Sequence, residues 1–151
     1  MQTFRSLFFA GSLGLLTACH EQSTQATQEP TAPAATGSQC YAHTTATDTI
    51  RLTLQTTQPT ATGQLTYHYF EKDRNRGTIQ GTMHGDTLLA DYTFQSEGTT
   101  SVRQVAFLRR DTGFIEGFGP VVEREGKMVF TAPRTLHFDA KYTLLPVDCP
   151  K

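Results

Sequence analysis

From about residue 48 onward the chain alternates apolar and polar side chains with a period of two. Ile50, Leu52 and Leu54 share one parity, with Arg51 and Thr53 between them. Leu65, Tyr67 and Tyr69 alternate with Thr66 and His68, and Leu88, Ala90, Tyr92 and Phe94 with Asp91 and Thr93. Such spacing predicts strands with one buried and one wet face. No run of ten or more residues carries an apolar stripe at helical spacing. The pattern predicts eight to nine short strands, at about 48–55, 63–70, 77–83, 87–95, 100–109, 113–118, 120–124, 127–131 and 135–145. Turn signals divide them: the charged run 71–76 before Gly77, the pair Gly85-Asp86, SEGT at 96–99, RDTG at 110–113 and Glu125-Gly126. Pro133 limits pairing around itself.

Consecutive strands joined by short turns form an antiparallel meander, and about eight of them close into a small barrel without edges. The predicted fold class is therefore all-β, a small antiparallel meander barrel, with a two-sheet sandwich as the alternative. Gly63, Gly77, Gly81, Gly113 and Gly117 fall at strand starts or interiors, where sharp coiling or bulges require them. The pattern resembles a lipocalin in outline. Lipocalins carry a Trp in the first strand after a Gly; this chain has no Trp, so no lipocalin ligand is carried over to it.

Ahead of the strands, Met1–Cys19 reads MQTFRSLFFAGSLGLLTAC, with one charge at Arg5 and an apolar stretch from Leu7 to Leu16. It is shorter than the roughly 20 apolar residues of a spanning helix and has the form of a secretory signal peptide. Its end, Leu16-Thr17-Ala18-Cys19, resembles the lipobox of bacterial lipoproteins. That resemblance implies cleavage after residue 18, a diacylglycerol on Cys19 and a stable lipid anchor. In that family an Asp after the Cys retains the protein at the inner membrane. His20 stands there instead, which points to the outer membrane. The block Gly77–Phe107, GTIQGTMHGDTLLADYTFQSEGTTSVRQVAF, is similar to one in uncharacterised small envelope lipoproteins, and implies location without a catalytic residue.

Residues 20–39 contain no Leu, Ile, Val, Phe or Tyr and are rich in Thr, Gln, Ala and Pro. Such a segment forms no core and reads as a flexible tether. The expected organisation is a signal peptide at 1–18, acylated Cys19 and tether at 19–39, and one β domain at 40–151. With Cys19 taken by lipid, Cys40 and Cys149 remain at the two ends of the domain. In an oxidising envelope they are expected to pair, which sets the first and last strands side by side.

Composition narrows the function classes. A net charge of −1 over 151 residues gives no basic field for nucleic acid and no acidic tail. His20, His43, His68, His84 and His137 form no metal-binding spacing, no serine lies in a GxSxG context, and no calcium-loop or phosphate-loop motif occurs. No enzyme activity, metal or cofactor is expected. Glu97 and Arg103 flank one hairpin turn with Ser101 between them, and are the candidate polar mouth of a barrel. The bland reading of that pair is a surface ion pair. Tyr67, Tyr69, Tyr92, Phe94 and Phe107 are the candidate lining of a cavity, or simply core filling. Arg109, Arg110, Arg124 and Lys127 read as a solvated basic rim, and Asp91 and Glu116 as outward or turn acids. The expected role is a non-catalytic binding or interaction module at the envelope, for a small apolar ligand or an envelope protein. The alternative is an inhibitor or assembly factor, by architectural analogy with small disulfide-bonded barrel lipoproteins that inhibit lysozyme.

Overall fold

A computed structural model describes residues 37–150 apart from 73 and 97. The expectations for 1–18, Cys19, the tether up to residue 36 and Glu97 lie outside the described residues.

The described residues form ten strands: β1 (Gln39–Thr44), β2 (Thr49–Thr57), β3 (Thr60–His68), β4 (Asn75–His84), β5 (Thr87–Ser96), β6 (Thr99–Arg110), β7 (Gly113–Phe118), β8 (Val121–Arg124), β9 (Lys127–Phe130) and β10 (His137–Val147). Strands β1 to β7 are a continuous antiparallel meander, and β10 pairs with both β7 and β1 to close it. The result is an eight-stranded antiparallel barrel, as the alternation predicts; the sandwich is not formed.

Three details differ from the sequence reading. β1 was absent from the expected strands because QCYAHT does not alternate, and Cys40 and Tyr41 are both buried. β3 starts at Thr60 and ends at His68, so Tyr69 lies in the loop beyond it. The β8–β9 hairpin is not a wall strand pair: β9 runs parallel to β6 through Val102↔Lys127 and Arg103↔Met128.

The inward parity of each strand supplies the core. Ile50, Leu52 and Leu54 of β2 meet Leu65 and Tyr67 of β3, Ile79 of β4, Leu88 and Tyr92 of β5, Phe107 of β6, Phe114 of β7 and Leu144 of β10. Each fully buried side chain of this size contributes about 1.5–3 kcal/mol. Gly63 and Gly77 let the wall coil tightly, since a Cβ on either would strike the backbone of Thr53 or Thr93 in the next strand. Gly85 takes φ +61° in the two-residue turn between β4 and β5, a conformation that favours glycine.

Cys40 and Cys149 are bonded, with Cα atoms 5.2 Å apart, beside the β1–β10 pairing of Cys40 with Val147. This fixes one end of the barrel, which also carries the β2–β3, β4–β5 and β6–β7 turns. The opposite end carries the β1–β2, β3–β4 and β5–β6 connections and the hairpin. The bond closes a separation of 109 residues, and removing a native disulfide from a small domain costs about 2–5 kcal/mol. Reduction, or Cys40→Ser, is therefore expected to lower the free energy of unfolding by that amount, read as a fall in the urea midpoint. An unchanged midpoint under reducing conditions would contradict the role given to this bond.

Candidate functional site

The end away from the disulfide is polar inside. Tyr67 on β3, Asn75 on β4, Tyr92 on β5, Arg103 on β6 and Glu116 on β7 all occupy inward parities of their strands. Cross-strand registers join several of them directly: Tyr67 stands opposite Asn75, and Tyr92 opposite Arg103. Glu116 lies opposite Phe107 and is 4% exposed. This corrects the expectation that Glu116 lies outward. Parity carried the signal: Phe114, Glu116 and Phe118 share one face of β7, and a buried Phe114 takes Glu116 inward with it.

Tyr67 donates its hydroxyl hydrogen to Glu116 Oε1, with the oxygens 2.5 Å apart. The Arg103 guanidinium lies 5.1 Å from the centre of the Tyr67 ring and 5.6 Å from those of Tyr92 and Phe94. Tyr92 and Phe94 stack with centroids 4.7 Å apart. Aromatic faces therefore hold the cation, an arrangement worth about 0.5–2 kcal/mol. They also leave its edge free to donate.

Four buried side-chain atoms among the described residues have no hydrogen-bond partner: Asn75 Oδ1, Tyr92 Oη, Arg103 Nε and Glu116 Oε2. All four belong to this end of the barrel. Leaving such an atom unpaired costs about 1–3 kcal/mol. The fold bears this cost in one place, and two of the four residues, Arg103 and Glu116, line a cavity of about 360 Å³.

The cavity exists because β6 changes partners. Its second half pairs with β7 from Ala106 to Arg110, while Val102 and Arg103 pair with β9. The wall splits between these two partners, and the cavity runs from the Tyr67–Glu116 pair out through the seam. Its outer lip is apolar, with Phe118, Val121 and Met128 exposed by 44%, 46% and 39%. Two contacts hold the hairpin over the seam. Gln104 accepts the backbone N–H of Phe130, and Lys127 meets Asp91. Lys127, grouped with the basic rim by sequence, is thus a pairing residue of the hairpin.

Of the residues singled out by sequence, the structure brings Tyr67, Tyr69 and Arg103 into the cavity lining. Tyr92 and Phe107 are fully buried in the core, and Phe94 packs against it. Ser101 stands opposite Phe94 and is not part of the lining. Arg103 finds its acidic counterpart in Glu116, on the neighbouring strand β7. A larger hollow of about 550 Å³ lies against the outer wall near His84, Leu89, Arg134 and Phe138, but none of the unpartnered buried atoms belongs to it. Among the described residues, no three His, Cys, Asp or Glu side chains gather to hold a metal ion.

The electrostatics follow from burial. Burial pushes the Glu116 carboxyl above its ordinary range, opposed by the Tyr67 hydrogen bond and the charge of Arg103. Burial likewise raises Tyr67 strongly and takes Tyr69 and Tyr92 to about 12. The tyrosines therefore stay as O–H donors throughout the ordinary pH range.

Comparison with protein-family models, curated proteins and solved structures finds no match to this chain.

A carboxyl with a raised folded pKa favours the fold in its protonated form. Its contribution is full below the unfolded pKa and is lost as pH rises through the folded value. Glu116→Gln keeps an acceptor for Tyr67 and carries no charge. The melting temperature of this variant relative to wild type is expected to rise from about pH 4 to about pH 8, with each kcal/mol read as roughly 4 °C. Parallel pH profiles for the two proteins would show that Glu116 does not titrate with folding.

Proposed function

We propose that this is a lipid-anchored protein of the bacterial cell envelope, held at the outer membrane through Cys19, whose barrel is a non-catalytic binding module for a small amphipathic molecule. The observation that carries the binding half is the cavity itself. It joins a buried, half-satisfied carboxyl and an aromatic-held guanidinium to an apolar lip, and about 360 Å³ falls within the usual size of ligand sites. What supports binding over nucleophilic chemistry is that, among the described residues, the lining holds no Ser, Cys or His beside the Glu116 carboxyl. The anchoring half rests on Leu16-Thr17-Ala18-Cys19 and the polar tether that follows it.

A second reading, an inhibitor or assembly factor acting on an envelope protein, has one observation in its favour. Tyr69, Phe118, Val121 and Met128 expose apolar surface around one opening. The same residues serve the first reading as the lip of the cavity.

Two experiments separate these elements. Native mass spectrometry of the chain purified gently from its host is expected to show a bound small molecule, lost from the double variant Arg103→Met/Glu116→Leu. A clean apo mass together with a co-purifying protein would favour the second reading. Cys19→Ser is expected to release the protein from membranes and abolish labelling by radioactive fatty acid. Persistent labelling in that variant would remove the anchor assignment.

A further inference from the structure

We infer that the ligand of this cavity is an amphipathic monocarboxylic acid, bound with one proton shared between its carboxyl and Glu116 while its second oxygen accepts from Arg103. The inference rests on the binding reading above and concerns the chemistry of the head group.

The argument is a count of donors and acceptors. Among the buried atoms of the lining, Glu116 Oε2 is an unpartnered acceptor and Arg103 Nε an unpartnered cationic donor. Glu116 Oε1 is already used by Tyr67. An ammonium head brings three N–H groups to a site with one free acceptor and has nothing to offer Arg103. A primary amide satisfies both atoms but keeps one N–H over. A carboxylic acid brings one O–H for Glu116 and one carbonyl oxygen for Arg103, and no N–H of the head group is left over. Charge balances as well: one guanidinium faces two carboxyls that hold a single proton. Two carboxyls at hydrogen-bond distance cannot both ionise, which is the condition that makes such a pair keep its proton. The Tyr92 hydroxyl, across the strand pair from Arg103, is a further unpartnered donor on the guanidinium side. The apolar lip of Phe118, Val121 and Met128 then receives the hydrocarbon body.

The titratable and charged groups around Glu116 support proton retention. Tyr67 and Tyr69 approach from β3 and the loop after it, Tyr92 from β5 and Arg103 from β6, while Asp48 and Tyr142 of β10 lie within electrostatic reach of Tyr69. Arg103 is the one cation of this set, and burial already moves the Glu116 carboxyl towards its protonated form.

The test uses the whole protein and three probes of one chain length: decanoic acid, decanamide and decylamine. Calorimetry in buffers of different ionisation enthalpy, at about pH 5.5 and about pH 8, reads affinity and proton uptake together. Decanoic acid is expected to bind best and to take up close to one proton at the higher pH. Its affinity should fall by about tenfold or more between the two conditions, since linkage allows up to tenfold per pH unit. In Glu116→Gln the amide N–H donates to the ligand carboxylate without a proton. Uptake should vanish, and affinity at the higher pH should equal or exceed wild type. Coincident circular dichroism spectra guard against misfolding of the variant. Arg103→Met should weaken the acid at both pH values. Acid binding without proton uptake, or equal binding of the amide or amine, would overturn the shared-proton head group and leave the binding barrel standing. Failure of all three probes, together with a clean apo mass from the host, would remove the binding reading and this inference with it.

Discussion

A carboxyl group enclosed by a barrel wall has to be met by donors, and the open end of this protein is organised around Glu116. An ionised, unpaired carboxylate in an apolar interior is so costly that the group either finds partners or keeps its proton. Glu116 does some of each. Tyr67 reaches it from the opposite part of the wall, and Arg103 supplies a field without direct contact. Every other feature of the site follows from keeping these three in place. Tyr67 is pinned by stacking with Tyr69 and an edge contact with Tyr92. Arg103 is pinned by Tyr67, Tyr92 and Phe94. The aromatic residues are therefore the scaffold of the site more than its lining.

The barrel was legible in the sequence because alternation and turn chemistry agree along the wall. Leu88, Ala90, Tyr92 and Phe94 fall inward, and Gly85-Asp86 makes the tight turn that its composition implies. The Cys40–Cys149 pair adds the closing constraint. The site was half legible. Arg103 was singled out as the partner of Glu97 across a hairpin turn, while Glu116, the acid that lines the same cavity as Arg103, was passed over. Sequence distance carries little information in a barrel, where β3 and β7 face each other across the interior. Glu116 was assigned outward from its chemistry, although Phe114 two residues earlier fixed its parity. Where chemistry and period disagree in a strand, the conflict itself marks a functional position.

The two strands and the turn of the β8–β9 hairpin were legible; the place of β9 beside β6 was not. The hairpin residues Val121, Val122, Met128 and Val129 alternate weakly, and nothing local says that β9 joins β6 in parallel over two residue pairs. That short pairing is what keeps the upper edge of β6 from zipping onto β7. Closing the seam would complete the wall and bury Val102 and Arg103 among ladder hydrogen bonds, at the expense of access. Gly117 contributes from the outside: a Cβ there would meet the Phe138 ring, so the residue next to Glu116 lets β10 pack closely over β7.

The two ends of the barrel thus divide the work. At one end the disulfide, the tight turns and the apolar core concentrate stability. At the other end the fold tolerates four unpartnered polar atoms and an exposed apolar lip. A protein selected only for stability would replace Glu116 with an aliphatic residue and let Arg103 reach solvent, because a well-packed apolar group commonly matches or outdoes a buried ionic one. Retaining both groups inward, at a cost of about 1–3 kcal/mol for each unmet atom, makes sense when a ligand supplies the missing partners. On the proposed binding reading, the two unsatisfied atoms whose residues line the cavity, Glu116 Oε2 and Arg103 Nε, are where a polar head would be met.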